Sequence, residues 1–413
     1  MEPIYMPDDW EGLLKGYVKR TFLAGTRKQV FADREDFTEG DYRFFARGVR
    51  ELNISFTQER HELPKNYFNQ KELRSGYILY FLPINALKVT ALLSQQPIHP
   101  RLTPQGHEFT ILDVGSGPGT GMLGVMAYLE NVLRRKKTGA LKLRFILIDQ
   151  NKPTLNDASE LFEEALKHLQ QANPSWRIEG HLQRIVANLF SEKISQVLKP
   201  QKADLILSLN FLSELPKGKR LPLVDILLRN YLHPSGKLLV IEPALRQTTR
   251  DLMELRDQIT AEESAFILAP CLHQEACPML KVSGRDWCHV YIPWERPVWI
   301  EKIDRLVGIR KDYLMCSYLL MGREPVSLES LVAGKTASLK GSLWRVVSGP
   351  LNSNGKSERL LCGPAQSREL LRITRLDRDQ SQANKDFDEL ERGDLVILPK
   401  ISRVTRETLI KKI

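Results

Sequence analysis

The chain has 413 residues, 42% of them hydrophobic and 27% charged, with a formal net charge of +10. That apolar share is ample for packed cores in two or three domains, and the basic excess favours an acidic partner, RNA foremost. No apolar run reaches membrane-spanning length and Met1 to Asp9 reads as neither a secretory signal nor a transit peptide, so a cytoplasmic, bacterial protein free of the membrane is expected, a monomer when free.

Residues 1–105 read as a helical region. Trp10, Leu13, Leu14, Tyr17 and Val18 recur at helical spacing, a second helix begins near Tyr42, and a longer one runs from Lys71 to Leu93, where Pro83 should kink or interrupt it. The interleaved basic and aromatic residues suit either RNA binding or apolar faces packed on the next domain. The proline-flanked stretch 99–104 marks a boundary.

Thr110 to Leu123 reads TILDVGSGPGTGML: a short apolar strand ends at Asp113, Gly115, Gly117, Gly119 and Gly121 follow at alternate positions, and an apolar helix begins. Glycine permits positive φ there and lets a ligand approach main-chain N–H groups. A triphosphate loop would need Gly-Lys-Ser/Thr, and a dinucleotide fingerprint would not place Pro118 where the helix should start. The stretch resembles the first motif of class I S-adenosylmethionine-dependent methyltransferases. That resemblance implies a cofactor site at Asp113, Gly115, Ser116, Gly117, Gly119 and Thr120, with the acid and the glycines facing the amino-acid end of the cofactor.

Strands and helices then alternate as in a parallel α/β sheet. Arg134 to Lys137 closes the helix after the glycine loop, where cations favour the helix dipole. A second strand, 143–149, ends in Asp149, placed to accept both ribose hydroxyls, with Gln150 beside it. A third strand near 184–187 leads to Asn188, whose amide can reach the adenine. The fourth, 203–210, ends in Asn210 and runs into Phe211-Leu212-Ser213-Glu214, at the edge where ligands bind in such sheets. Neither the Asn/Asp-Pro-Pro-aromatic turn of enzymes that methylate exocyclic amines nor the cysteine nucleophile of pyrimidine C5 enzymes occurs there, so no catalytic residue is named. A fifth strand, 237–243, precedes a helix from Thr248 to Ile259.

Cys271, Cys277 and Cys288 are three of only five cysteines and fall within 18 positions, the first two flanked by prolines. In a reducing compartment this reads as metal ligation rather than disulfide pairing. Three thiolates with His273 or His289 would make a structural zinc site, and three with a distant fourth would suit zinc or an iron–sulfur cluster. Cys362, beside Gly363 and Pro364, is the fourth candidate, whereas Cys316 reads as a core residue on a strand. From about residue 340, short strands at 343–347, 369–374 and 394–398, split by Asn-Gly and Arg-Gly turns, suggest a small OB-like β domain. Residues 331–413 carry 16 basic and 10 acidic side chains, concentrating the positive charge in that domain.

The glycine loop, Cys271-Leu-His-x-x-x-Cys277-Pro, Trp287-Cys288-His289 and a late cysteine in a β-rich tail together resemble the methyltransferase-like family of mitochondrial and bacterial small-ribosomal-subunit assembly factors, over roughly residues 70 to 400. The resemblance implies a [4Fe–4S] cluster on Cys271, Cys277, Cys288 and Cys362, and binding to small-subunit rRNA during maturation. The expected fold is α/β: a class I methyltransferase domain at 106–335, Rossmann-like with a mostly parallel seven-stranded sheet and a cysteine-rich insertion at 269–290. It lies between the helical region (1–105) and a basic β domain (336–413). Two functions remain open: an rRNA methyltransferase with a structural zinc site, or an assembly factor that retains the methyltransferase fold as a platform.

Overall fold

Trp10, Leu14, Tyr17 and Val18 share one face of helix α1 (Trp10–Val18) and all four are buried, as their spacing requires. The computed structural model describes residues 3–23, 36–57, 67–95, 108–136, 138–325, 341–364 and 369–413. The expected boundary at 99–104 lies outside the described residues. Two compact units emerge, Glu2–Glu214 with Pro293–Leu314, and Leu215–Ile292 with Met315–Ile413.

In the first unit, α2 (Glu39–Thr57), α3 (Lys71–Gly76), a π-helical turn (Tyr77–Phe81) and α4 (Leu82–Gln95) precede the sheet. The interruption expected at Pro83 takes the form of that π turn. Pro83 has no N–H to give to the Leu79 carbonyl, and the indole N–H of Trp299 donates to it instead at 3.0 Å. Residues 71–94 form one helical stretch long and apolar enough to cross a bilayer by length and composition, which corrects the expectation that no run reaches that length. Its apolar window is 89% buried inside the protein.

Strands β1 (Glu108–Val114), β2 (Gly139–Asp149), β3 (Trp176–Val186) and β4 (Ala203–Leu209) lie in the order β3-β2-β1-β4, all parallel. Residues 109–114 of β1 are all buried, as in a parallel strand covered on both faces. The third strand starts eight residues before the apolar patch at 184–187 that announced it, because its mixed side chains give no alternation to read. Helices α5 (Thr120–Arg134), α6 (Lys152–Ala172) and the short α7 (Ile194–Val197) connect the strands, and α11 (Val298–Val307) completes the unit. Asn151 caps α6 by accepting the Thr154 N–H at 3.1 Å.

The second unit begins with α8 (Lys217–Ile226), β5 (Leu232–Pro243), α9 (Arg246–Ala261), β6 (Phe266–Ala269), α10 (Pro278–Val282), β7 (Val290–Pro293) and β8 (Tyr313–Gly322). β8 runs antiparallel to both β5 and β6, and β7 also pairs with β8. Instead of seven mostly parallel strands, the α/β part therefore has four parallel strands in one unit and four strands with antiparallel pairing in the other. Its arrangement is that of a mixed class I methyltransferase fold.

The tail holds β9 (Ser342–Val346), β10 (Leu351–Ser353), β11 (Lys356–Cys362), β12 (Leu371–Leu376), β13 (Leu395–Leu398), β14 (Arg403–Val404) and β15 (Lys411–Lys412). The path β14-β12-β11-β9-β13-β15 covers a core of Trp344, Val346, Leu361, Ile373, Phe387 and Val396. Asn354-Gly355 turns the β10–β11 hairpin, with Gly355 at φ +77°. Among the described residues no pair joins β14 to β15, so the OB-like closure is not among the observed pairings.

Candidate cofactor loop and four-cysteine site

The glycine loop leaves β1 and is tied to the end of β2 by main-chain bonds. Gly115 and Ser116 donate N–H groups to the Ile148 carbonyl at 2.9 and 3.1 Å, and Gly117 N–H donates to Asp149 Oδ2 at 2.9 Å. Gly115, Gly117 and Gly119 have φ of +73°, +52° and +84°, which explains the residue type at alternate positions. A Cβ on Gly115 would stand 2.4 Å from the Phe211 ring, whereas one on Gly117 would meet open space. The loop is thus closed on one side by an aromatic ring after β4 and open on another.

Asp113 is 1% exposed and lies against the start of α5, where a Cβ on Gly121 would touch it at 2.5 Å. Its two oxygens have no partner of good hydrogen-bond geometry, and only the Met122 N–H draws towards them. Burial, reinforced by the charge of Asp149, pushes its carboxyl up to about 8. Asp149 itself is raised by burial, and the N–H groups of Asn151 and Gly117 on its two oxygens counter that rise.

Of the other residues anticipated here, Thr120 and Ser116 are buried at the α5 start, and Gln150 is exposed beside Asp149. Asn188 follows β3, but its side-chain oxygen accepts the Phe190 N–H at 2.9 Å, so that oxygen is engaged in its own turn. Asn210, at the end of β4, adopts φ +54°. Sequence reading missed Phe211 and Tyr77. The Tyr77 hydroxyl lies 3.4 Å from Thr120 Oγ1, and the Phe68 ring meets Tyr77 edge-on at 5.0 Å. Nothing local distinguishes Tyr77 from the other aromatic residues of a buried helix.

In the second unit, Cys271, Cys277, Cys288 and Cys362 line one cavity. Cys316 is fully buried on β8 and does not line it. All five cysteines are free thiols. The fourth lining cysteine comes from the end of β11, which the loop after β6 reaches only through the tertiary fold. Among the described residues, no group of three or more His, Cys, Asp or Glu side chains is arranged to hold a metal ion.

Burial and the neighbouring Cys271 push the Cys277 thiol up to about 11 and, with Cys277 added, that of Cys288 to about 12. Cys362 is raised well above the usual thiol range for the same reasons. Thiols packed this way resist ionising together unless a cation joins them. His273 lines the cavity, with Nε2 3.6 Å from Cys362 Sγ, and burial, with Arg256 beside it, lowers its imidazole below the usual histidine range. His289 does not line the cavity and stacks on Trp287 at 5.6 Å.

Residues 77–396 match the family described as mitochondrial small ribosomal subunit Rsm22. No curated protein matches the chain. Among solved structures, the chain is similar to a TehB-like SAM-dependent methyltransferase from Corynebacterium glutamicum, at 14% identity over 70% of this chain and 100% of that one, with a TM-score of 0.28. It is also similar to magnesium protoporphyrin IX methyltransferase from Synechocystis, at 10% identity over 67% and 97%, with a TM-score of 0.32.

Proposed function

The chain belongs to the family of mitochondrial small ribosomal subunit Rsm22, and from that premise we propose that it is a factor that binds small-subunit rRNA and assists assembly of the subunit, carrying S-adenosylmethionine and a [4Fe–4S] cluster. The observation that supports this reading most is the convergence of four cysteines from separate segments on one cavity, in a chain whose glycine loop is also intact.

Cys271, Cys277, Cys288 and Cys362 would hold the cluster, which supplies a cation to thiols that burial otherwise keeps protonated. Four thiolates suit a cluster or a lone zinc ion, and the family resemblance of the cysteine pattern is what puts the cluster first.

S-adenosylmethionine would supply an electrophilic methyl group at the first site. There Gly117 leaves room against its main chain, Asp149 holds the loop end and can still accept from ribose hydroxyls, and the unpartnered oxygens of Asp113 suit a cationic neighbour. Asn210 and Glu214 follow β4 and would orient a substrate, but neither an Asn/Asp-Pro-Pro-aromatic turn nor a cysteine nucleophile stands there. An assembly role with the cofactor as a structural or sensing ligand therefore comes first. The second reading, an rRNA methyltransferase, rests on the well-formed loop.

Immature small subunits incubated with the protein and methyl-labelled S-adenosylmethionine test both readings. Co-sedimentation without label in rRNA supports the assembly factor. Label that vanishes with Gly117→Arg makes it a methyltransferase, and neither co-sedimentation nor label refutes the function proposed.

A further inference from the structure

Three arginines brace the backbone around the four-cysteine cavity. Arg256, 2% exposed on α9, donates Nη2–H to the His273 carbonyl at 2.6 Å and Nη1–H to the Glu275 carbonyl and to Asp257. Arg345, 4% exposed on β9, donates to the Pro270 and Gly393 carbonyls, both at 2.6 Å. Arg392 donates to the Trp287 and Val347 carbonyls. Each guanidinium thus grips the chain next to a cysteine: Pro270 precedes Cys271, His273 and Glu275 lie between Cys271 and Cys277, and Trp287 precedes Cys288. Arg345 and Arg392 also hold Gly393 and Val347, tying the loop to the β-sheet tail that carries Cys362.

These contacts leave several guanidinium N–H donors over. Arg256 Nε and Arg392 Nε are buried N–H groups without a partner, and Arg256 lines the cavity together with His273. Asp257 offsets one of the three positive charges, and its two oxygens also take the Cys277 N–H at 3.0 Å. A [4Fe–4S]²⁺ core with four thiolates carries a net charge of −2, so the collar supplies the opposite sign where burial has removed water.

We propose that Arg256, Arg345 and Arg392 are positioning residues that brace the loops carrying the four cysteines and set the reduction potential of the cluster those cysteines hold. The inference rests on the cluster reading above. A nearby positive charge favours the reduced, more negative cluster, and N–H donors to its sulfurs act in the same sense. A lysine keeps the charge but cannot bridge two carbonyls, whereas a glutamine loses the charge.

The full chain, purified without oxygen, is analysed for iron and acid-labile sulfide, titrated for its midpoint potential by electron paramagnetic resonance, and timed for bleaching of its visible absorption in air. Arg345→Gln and Arg256→Gln are expected to shift the potential downwards and bleach faster. Arg345→Lys is expected to recover the potential but not the lifetime. If the two buried variants fail to load iron, Arg392→Gln, at a less buried position, decides by the same downward shift. Loaded glutamine variants with the potential and lifetime of the wild type overturn the inference alone. A wild-type protein that takes up no iron and sulfide overturns the cluster reading and the inference with it.

Discussion

Replacing Asp113 by asparagine tests the chemistry of the cofactor loop without altering its shape. The Asp113 carboxyl is pushed up to about 8 in the folded chain, against an ordinary value of 3.8 when unfolded. Between those values the folded state holds a proton that the unfolded state has released, so this group's contribution is full below about pH 4 and is lost as the pH rises towards 8. The loss is about 1.4 kcal/mol per pH unit, with a ceiling of about 6 kcal/mol over the whole interval. The asparagine side chain does not ionise, so the stability gap should open in favour of Asp113→Asn with rising pH. Urea unfolding of both proteins, followed by tryptophan fluorescence at one-unit steps from about pH 5 to 8, measures that gap. Curves that stay parallel would refute the reasoning. With S-adenosylmethionine present, the wild-type loss should shrink, because a cationic neighbour favours the ionised carboxylate.

Gly115→Ala forces a side chain into φ +73°, at a cost of about 1 kcal/mol, and puts its Cβ 2.4 Å from the Phe211 ring. Calorimetric titration with S-adenosylmethionine should show at least about a tenfold loss of affinity, while iron content is unchanged. Cys277→Ser should abolish iron and sulfide uptake, and Cys316→Ser, removed from the cavity, should leave both intact by metal analysis. Trp299→Phe strips the buried Leu79 carbonyl of its donor and should destabilise the chain by about 1 to 3 kcal/mol in thermal or urea unfolding.

Much of the first site was legible because its residues are adjacent in the chain. Four glycines at alternate positions, an acid at the end of an apolar run and a second acid at the end of the next strand are local signals, and Gly117 N–H on Asp149 joins the two strand ends as a parallel β1–β2 pair allows. Asn188 reads in the sequence as an amide that reaches the adenine, but the Phe190 N–H that its side-chain oxygen accepts could not be read from residue type. The helix from Lys71 to Leu93 was legible as a helix, whereas the burial of 89% of its apolar window is the work of the fold around it.

The sequence alone determined the elements whose cause is local: the glycine turn, the strand ends carrying Asp113 and Asp149, the irregular helical turn before Pro83 and the proline-flanked loop with three cysteines. Tertiary structure alone decided that β8 would run antiparallel, that Cys362 would line the cavity and Cys316 would not, and that Arg256, Arg345 and Arg392 would grip the cysteine loop. The reason is range. Backbone conformation answers to neighbours a few residues away, but the cavity's cysteines lie 91 positions apart in the sequence, from Cys271 to Cys362, and meet only because burying their flanking apolar residues is favourable.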